Sequence, residues 1–380
     1  MITQLPTRHN IIPIRIFQAR VSRSFSQEEL ASAVQVTKQA ISKYETGAAR
    51  PSDTVIVKIA EVLEYPLSFF EKNPGIVSAP QSTCFFRSYK TSSKKERMAL
   101  AERGEIFEDT VFGKLKTYVA FPEPNMPDIE QGGPYTQDDC EDIAMRLREL
   151  WGIGTGPIDR FVDIVQENGI IIANMPCSEP KIDAFSFMKN GVPYIFISSN
   201  TVSSVRWRYS LAHEIGHLIL HSEYFNKTIS QNDHDRLEDE ANFFASALLL
   251  PQQSFFEDIT VASLEYFLYL KKKWKVSIGA MIMKCKSFGL LSDAQVSALY
   301  RKLTIKNWRK SEPLDDICQH EKPYLLKQAF ELIFNNNVIA RENVEKEFGM
   351  YVNELAELTF TPIEIFRPTS PKPQPLKLLK

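Results

Sequence analysis

Leu211-Ala212-His213-Glu214-Ile215-Gly216-His217-Leu218-Ile219-Leu220 sets two histidines and a glutamate inside an otherwise apolar run. Such a run predicts a helix. Residues at i and i+4 of a helix share a face, so His213 and His217 project together. An HExxH pentapeptide in that setting lets two imidazoles grip one Zn²⁺ while the glutamate between them reaches a water on the metal. Four of the six histidines fall in a short stretch of the chain: His213, His217, His221 and His234. The last two read more naturally as structural or surface residues than as ligands.

Two histidines leave a tetrahedral site incomplete, because a catalytic zinc takes three protein ligands and keeps one position open. The segment Leu237-Glu238-Asp239-Glu240-Ala241-Asn242-Phe243-Phe244-Ala245 supplies the third. Glu238 and Asn242 are i and i+4, and Ala245 and Leu249 continue their face. The chain between His217 and Glu238 is long enough for a loop and an antiparallel return. Glu238 is the preferred metal ligand, with Asn242 orienting a histidine or the carboxylate from behind. Glu240, about 200° round the helix from Glu238, stays open as the alternative. Zinc lowers the pKa of its water towards about 7, and Glu214 is placed to take the proton and return it to a leaving amine. An oxyanion needs a further donor; His221, Tyr209 and Arg206 are candidates.

Upstream, Ile170-Ile171-Ile172-Ala173 reads as a short strand. Ala184 to Lys189, Asn190-Gly191 and Tyr194 to Ser198 read as a hairpin, since Asn-Gly suits a tight two-residue turn. Helical patterns cover Asp138 to Leu150, Phe161 to Gln166, about 203–222 and 235–249. Residues 72–84 and the Pro-rich stretch Pro122 to Pro134 read as linkers. From 261 to about 360 the pattern is helical. Lys271-Lys272-Lys273-Trp274-Lys275 is expected to be a solvated helix face, and the Pro/Lys-rich tail to be disordered.

Residues 13–71 hold several short helices with clear punctuation. Ser26-Gln27-Glu28-Glu29 is a capping box, Gln35-Val36 a turn, Thr37 a second cap, and Gly47 a stop. Two short helices joined by a tight turn form a helix-turn-helix pattern. Ala31 is small where the helices would cross, and Val36 and Ile41 would fill the core beneath. Thr37, Lys38, Gln39, Ser42 and Lys43 would point outward from the second helix. Glutamine can pair with adenine and lysine with guanine or phosphate. Gln27 is a phosphate candidate, and Arg20, Arg23 and Arg50 add further ones.

The totals are those of an ordinary globular chain of 380 residues, 43% hydrophobic and 24% charged, with net charge -2. No global basic field advertises nucleic acid, and residues 1–75 carry nine Lys/Arg against seven Asp/Glu. Five scattered cysteines show no CxxC pair and no disulfide framework. The N-terminus lacks the apolar core of a signal peptide, and no run approaches the ~18 apolar residues of a membrane span. A cytoplasmic protein away from membranes is expected.

Two resemblances sharpen the reading. Arg206 to His221, then Glu238 to Ala245 and Leu248-Leu249-Leu250-Pro251, resemble the ImmA/IrrE family of metallopeptidases, and Ile182-Asp183-Ala184-Phe185-Ser186 resembles that family's strand before the active helix. The similarity spans about 135–300. It implies a zincin-like domain with zinc held by His213, His217 and Glu238, Glu214 as base, and repressor proteins as substrates. Ser26 to Ala31, Val36 to Gly47 and Arg50-Pro51-Ser52 resemble Xre/Cro-type DNA-binding domains over about 13–71, which usually bind a double-stranded operator as homodimers.

The expected fold class is α+β and mostly helical. An all-α helix-turn-helix bundle (1–75) leads through a linker and connecting helix (76–134) to a zincin-like α/β metallopeptidase domain with a small sheet (135–260). A helical C-terminal region (261–365) and a tail (366–380) follow. The leading function is a DNA-binding regulator with a zinc endopeptidase that makes limited cuts in a repressor. One alternative is a non-catalytic, antitoxin-like regulator whose zinc domain senses a ligand or docks a partner. Another is a switch that cuts its own linker.

Overall fold

In the computed structural model the described residues are 10–74, 85–86, 93–130, 132–175, 183–199, 203–224, 231–318 and 321–367. Most of the expected linker at 72–84, the segment before Asp183 and the end of the tail fall outside them. Packing divides the chain into two units: Met1–Val77 with Met98–Ala120 and Leu326–Lys380, and Ser78–Arg97 with Phe121–Leu325.

The first unit begins with five helices: α1 (Pro13–Ser22), α2 (Gln27–Val34), α3 (Lys38–Thr46), α4 (Asp53–Leu63) and α5 (Leu67–Phe70). Their ends are written in the sequence. Ser26 accepts the Glu29 amide while the Glu29 carboxylate accepts the Ser26 amide, satisfying two otherwise orphaned donors. Gln35 takes a left-handed conformation (φ 61°), which turns the chain so that Thr37 can cap α3. Ser52 caps α4. The buried faces of Ile16, Ala19, Leu30, Ala31, Val34, Ile41, Ile56, Ile59 and Leu63 form one core; Val36 is only half-buried.

Later segments complete this unit. From Met98 onward, α6 (Lys94–Ile106) runs through a π-helical turn (Phe107–Phe112) into α7 (Gly113–Lys116). Arg103 Nε donates to the Ser22 carbonyl (2.8 Å) and Arg15 pairs with Asp109, so both ends of this segment are tied to α1. The helices Leu325–Asn335, Val344–Phe348 and Val352–Leu358 contribute Phe330, Phe334, Phe348 and Leu355 to the buried side. Arg23 bonds Glu354 Oε2 (2.6 Å) and the Ser68 hydroxyl bonds the Glu345 carbonyl (3.2 Å). The helical stretch 261–365 is thus divided: its last part packs with the helix-turn-helix bundle and its first belongs to the unit that holds the sheet.

The second unit is a small sheet covered by helices. Strands β1 (Phe85–Phe86), β2 (Ile171–Asn174), β3 (Ala184–Lys189) and β4 (Val192–Ile197) lie in the order β1-β3-β4-β2. β3 and β4 are the expected hairpin, with Ala184 opposite Ile197 and Lys189 opposite Val192. Asn190 (φ 51°) and Gly191 (φ 74°) supply the two left-handed residues that a tight hairpin turn needs. β2 runs parallel to β4, and β1 pairs antiparallel with the outer side of β3. Around the sheet are α8 (Gln137–Leu150), α9 (Phe161–Glu167), α10 (Ser204–Leu220), α11 (Gln231–Leu249), α12 (Gln252–Glu257), α13 (Leu264–Trp274), α14 (Ile278–Ser287) and α15 (Asp293–Ile305). α10 packs on β3 and β4, and α11 lies between α10 and α8. Pro193 to Ile197 are buried along β4, as expected for a strand covered on both faces.

One sequence expectation is corrected in this unit. Lys271 is fully buried and Trp274 is buried with its indole N–H donating to Asp258 Oδ2 (2.8 Å), so only Lys272 and Lys273 of the expected solvated face are exposed. The cysteines Cys140, Cys285 and Cys318 are buried free thiols, and burial raises each well above the ordinary thiol range; Cys84 and Cys177 lie outside the described residues. Among the described residues, no helix is long and apolar enough to cross a membrane.

Candidate metal centre

Ser203 opens α10 by accepting the Arg206 amide (3.3 Å), and the Asp315 carbonyl holds the next residue through both the Ser204 N–H (2.6 Å) and its hydroxyl (2.8 Å). The helix is therefore fixed at its start, and its apolar residues anchor it on the sheet. His213, Glu214, His217 and His221 have no exposed surface.

Gly216 decides how closely α11 can approach. A Cβ there would stand 3.1 Å from Phe244 Cδ1, 3.2 Å from Ala241 Cα and 3.3 Å from the Ala241 carbonyl. Two small residues thus face each other at the crossing, between the two histidines of α10 and between Glu238 and Asn242 of α11. The helices run antiparallel, so His213 meets Asn242 and His217 meets Glu238.

The side chains converge accordingly. His213 Nε2 and His217 Nε2 are 3.1 Å apart; Glu238 Oε2 is 3.5 Å from the first and Glu238 Oε1 3.3 Å from the second. One ligand atom from each of the three residues lies within 4.8 Å of the others. Bonds of about 2.0–2.1 Å in a tetrahedron space ligand atoms by about 3.3 Å, so the donor set has the size of a zinc site and its chemistry, two imidazoles and a carboxylate. Burial alone would raise the Glu238 carboxyl, but the two imidazoles outweigh it and keep it below its usual range, in the ionised form a metal requires.

Of the two carboxylates weighed as third ligand, the fold brings Glu238 to the histidine pair and turns Glu240 away. Glu240 Oε2 lies 2.9 Å from His221 Nε2, and its Oε1 accepts from Arg236 (2.7 Å) and the Tyr135 amide (3.2 Å). Asn242 Oδ1 is 3.1 Å from His213 Nδ1, the orienting position expected for it. His221 Nδ1 is 3.0 Å from His217 Nδ1. Burial pushes the His221 imidazole down to about 4 against the opposing pull of Glu240. His234, one turn before Glu238, is buried with Nε2 3.9 Å from Glu238 Oε1.

The other expected donors are placed elsewhere. The Tyr209 hydroxyl donates to the Asn242 carbonyl (3.1 Å) and so serves the α10–α11 contact, while Arg206 is exposed and reaches the Arg309 carbonyl (3.1 Å). The pairing of Arg236 and Glu240 behind His221 was missed in sequence; its only trace is their i, i+4 spacing, which many solvated helices share.

On the first unit, α3 presents Thr37, Lys38, Gln39 and Lys43 as exposed residues and Ser42 as half-buried. The Thr37 hydroxyl also accepts the Ala40 amide as helix cap (3.1 Å). Gln27 is half-buried and donates to Glu45 Oε2 (2.7 Å). Two of the arginines suggested for phosphate contact serve the bundle instead. Arg20 is buried, pairs with Glu45 and donates to the Phe25 carbonyl (2.8 Å). Arg23 donates to the carbonyls of Leu63 (2.9 Å) and Glu64 (3.0 Å) as well as to Glu354.

Comparison with protein families gives two matches. Residues 16–70 match the helix-turn-helix family, and residues 165–286 match the IrrE N-terminal-like domain, a peptidase family. Comparison with curated proteins gives no match. The first match contains α3 and the second contains the whole His213, His217, Glu238 cluster. The chain thus joins an Xre-like helix-turn-helix domain to an IrrE/ImmA-like, metallopeptidase-like domain.

Proposed function

We propose that the protein is a DNA-binding transcriptional regulator whose second unit is a zinc-dependent endopeptidase making limited cuts in a repressor-type protein. The observation that carries this reading is the convergence of His213, His217 and Glu238 beside the buried Glu214, in a chain that also holds a helix-turn-helix domain. His213 Nε2, His217 Nε2 and the Glu238 carboxylate would hold the zinc. When bound, zinc supplies Lewis-acid activation of water and of a peptide carbonyl. Glu214, between the two histidines on the same helix, takes the proton from the attacking water and delivers it to the leaving amine. Asn242 holds the His213 ring from behind. Burial of Glu214 and both histidines keeps bulk water from competing at the reacting atoms.

The DNA-binding half rests on the outward face of α3, with Lys38, Gln39, Ser42 and Lys43 reading a groove and Thr37 and Gln27 near phosphates. A homodimer on a two-half-site operator in the cytoplasm completes the reading.

The test separates the halves. In a diverse peptide library, zinc-loaded wild type is expected to make cuts that chelation abolishes. Glu214→Gln should lower cleavage by about 10²–10⁴-fold while retaining zinc and operator binding. Zinc-loaded protein that produces no wild-type-specific cut would overturn the enzymatic half and favour the non-catalytic regulator. Gln39→Ala with Lys43→Ala should weaken operator binding by about 1–3 kcal/mol, read by titration at fixed salt, and leave cleavage unchanged.

A further inference from the structure

His217 has two ring nitrogens with two different neighbours. Nε2 faces His213 Nε2 (3.1 Å) and Glu238 Oε1 (3.3 Å), while Nδ1 faces His221 Nδ1 (3.0 Å). A hydrogen bond between two imidazole nitrogens needs a proton on one and a lone pair on the other. The sequence of contacts beyond His221 decides which. His221 Nε2 is 2.9 Å from Glu240 Oε2, and the other Glu240 oxygen already accepts from Arg236 Nη1 (2.7 Å) and the Tyr135 N–H (3.2 Å). With Oε1 taking a guanidinium and an amide donor, Glu240 presents Oε2 to His221 as an acceptor. A neutral His221 then carries its proton on Nε2, which leaves a lone pair on Nδ1. His217 must donate from Nδ1, which leaves the Nε2 lone pair aimed at the cluster.

We propose that Glu240 is a positioning residue for the metal centre: through His221 it fixes His217 as the Nδ1–H tautomer and so raises the zinc affinity of the site. The inference rests on the zinc reading given above. His213 reaches the same tautomer by a different device, since its Nδ1 meets the neutral amide oxygen of Asn242 directly. The two histidines are therefore not equivalent. His217 has a carboxylate behind it, relayed through one imidazole, and a charged acceptor behind a ligand histidine makes that ligand the stronger donor. Arg236 anchors the far end of the relay; its Nη2 also donates to the Tyr224 hydroxyl (3.0 Å).

The experiment uses the full-length, zinc-loaded protein and two readouts: the zinc dissociation constant from chelator competition, and imidazole ¹⁵N–¹H correlation spectra. Wild type is expected to show His213 and His217 protonated at Nδ1 and His221 at Nε2. His221→Phe and Glu240→Ala are expected to bind zinc about 10–100-fold more weakly. His221→Asn, whose amide oxygen can stand where Nδ1 stood, should recover most of that loss; a purely space-filling role predicts no such recovery. His221 protonated at Nδ1 in wild type, or wild-type affinity in both His221→Phe and Glu240→Ala, would overturn the relay while leaving the zinc site standing. If His221→Phe does not fold, the wild-type spectrum and a Glu240→Gln affinity decide the matter. A wild type that takes up no zinc ends the metal-site reading and the relay together.

Discussion

Lys271 is fully buried, and its ammonium touches two carboxylates, Glu312 Oε2 at 2.8 Å and Asp315 Oδ1 at 2.7 Å. Glu312 also accepts the amides of Ile278 and Gly279, so the cluster caps the start of α14 with negative charge where the helix end is positive. Asp315 links the same cluster to the first turn of α10 through its carbonyl. Removing the cation would leave two buried carboxylates facing each other, and breaking a buried pair from one side costs about 3–5 kcal/mol. Lys271→Ala is therefore expected to destabilise the second unit by that amount in denaturant unfolding; a loss under about 1 kcal/mol would show that the carboxylates find other partners. In sequence the same lysine looked like part of a solvated basic face. Its burial depends on Glu312 and Asp315, about 40 residues away, and no local pattern could report them. The histidine pair was legible for the opposite reason: its chemistry lies within five consecutive residues of one helix.

At the scale of elements, the His213, His217, Glu238 cluster depends on how closely α10 and α11 cross. Gly216 and Ala241 form the contact, and any Cβ at 216 presses on backbone as well as on the Phe244 ring. Gly216→Ala gains up to about 1 kcal/mol of helix propensity, which offsets part of the crowding. Gly216→Val adds a branched side chain with no such compensation and should cost about 1–3 kcal/mol. It should also weaken zinc binding, because widening the crossing separates Glu238 from His213 and His217. Thermal melting and chelator competition on the same sample check both; unchanged zinc affinity in a destabilised variant would show that the crossing and the cluster are independent. The element ends themselves were readable. Ser26, Thr37 and Gly47 stand where α2 and α3 begin and end, and Asn190-Gly191 turns the hairpin, because caps and tight turns are set by one to four neighbouring residues. The parallel pairing of β2 with β4 was not readable, since it joins strands separated by the hairpin.

At the scale of the whole molecule, the helix-turn-helix bundle shares its unit with Met98–Ala120 and with helices from Leu326 onward. Leu326 onward packs with it through Arg23–Glu354 and Ser68–Glu345, and the Lys72 ammonium donates to the Glu347 carbonyl. A single cut in the Pro-rich stretch 122–134 therefore leaves the helix-turn-helix bundle bound to the C-terminal helices without a covalent link through that point. Protein nicked there, by an inserted protease site, is expected to run as one species in size exclusion and to keep operator affinity. Separation of the fragments would favour self-cleavage as a way to free the helix-turn-helix bundle. Truncation after residue 325 removes the buried Phe330, Phe334, Phe348 and Leu355, each worth a few kcal/mol, and should lower the melting midpoint of the first unit by more than about 10 °C.

The chain announces its chemistry locally and its organisation only on folding. HExxH on an apolar helix, the acidic helix after it, the Ser26–Glu29 capping box and the Asn-Gly turn are short-range patterns, and short-range sterics and hydrogen bonding suffice to shape them. Those patterns carried the candidate ligands His213, His217 and Glu238 and the outward face of α3. Tertiary structure decided what long-range packing controls. It turned Glu240 to His221 and Glu238 to the histidine pair, although both carboxylates sit on one helix two residues apart. It committed Arg20 and Arg23 to the bundle, buried Lys271, and divided the C-terminal helices between two units. Each of these outcomes depends on which distant surface a side chain meets, and a side chain's neighbours across the fold are not written in its neighbours along the chain.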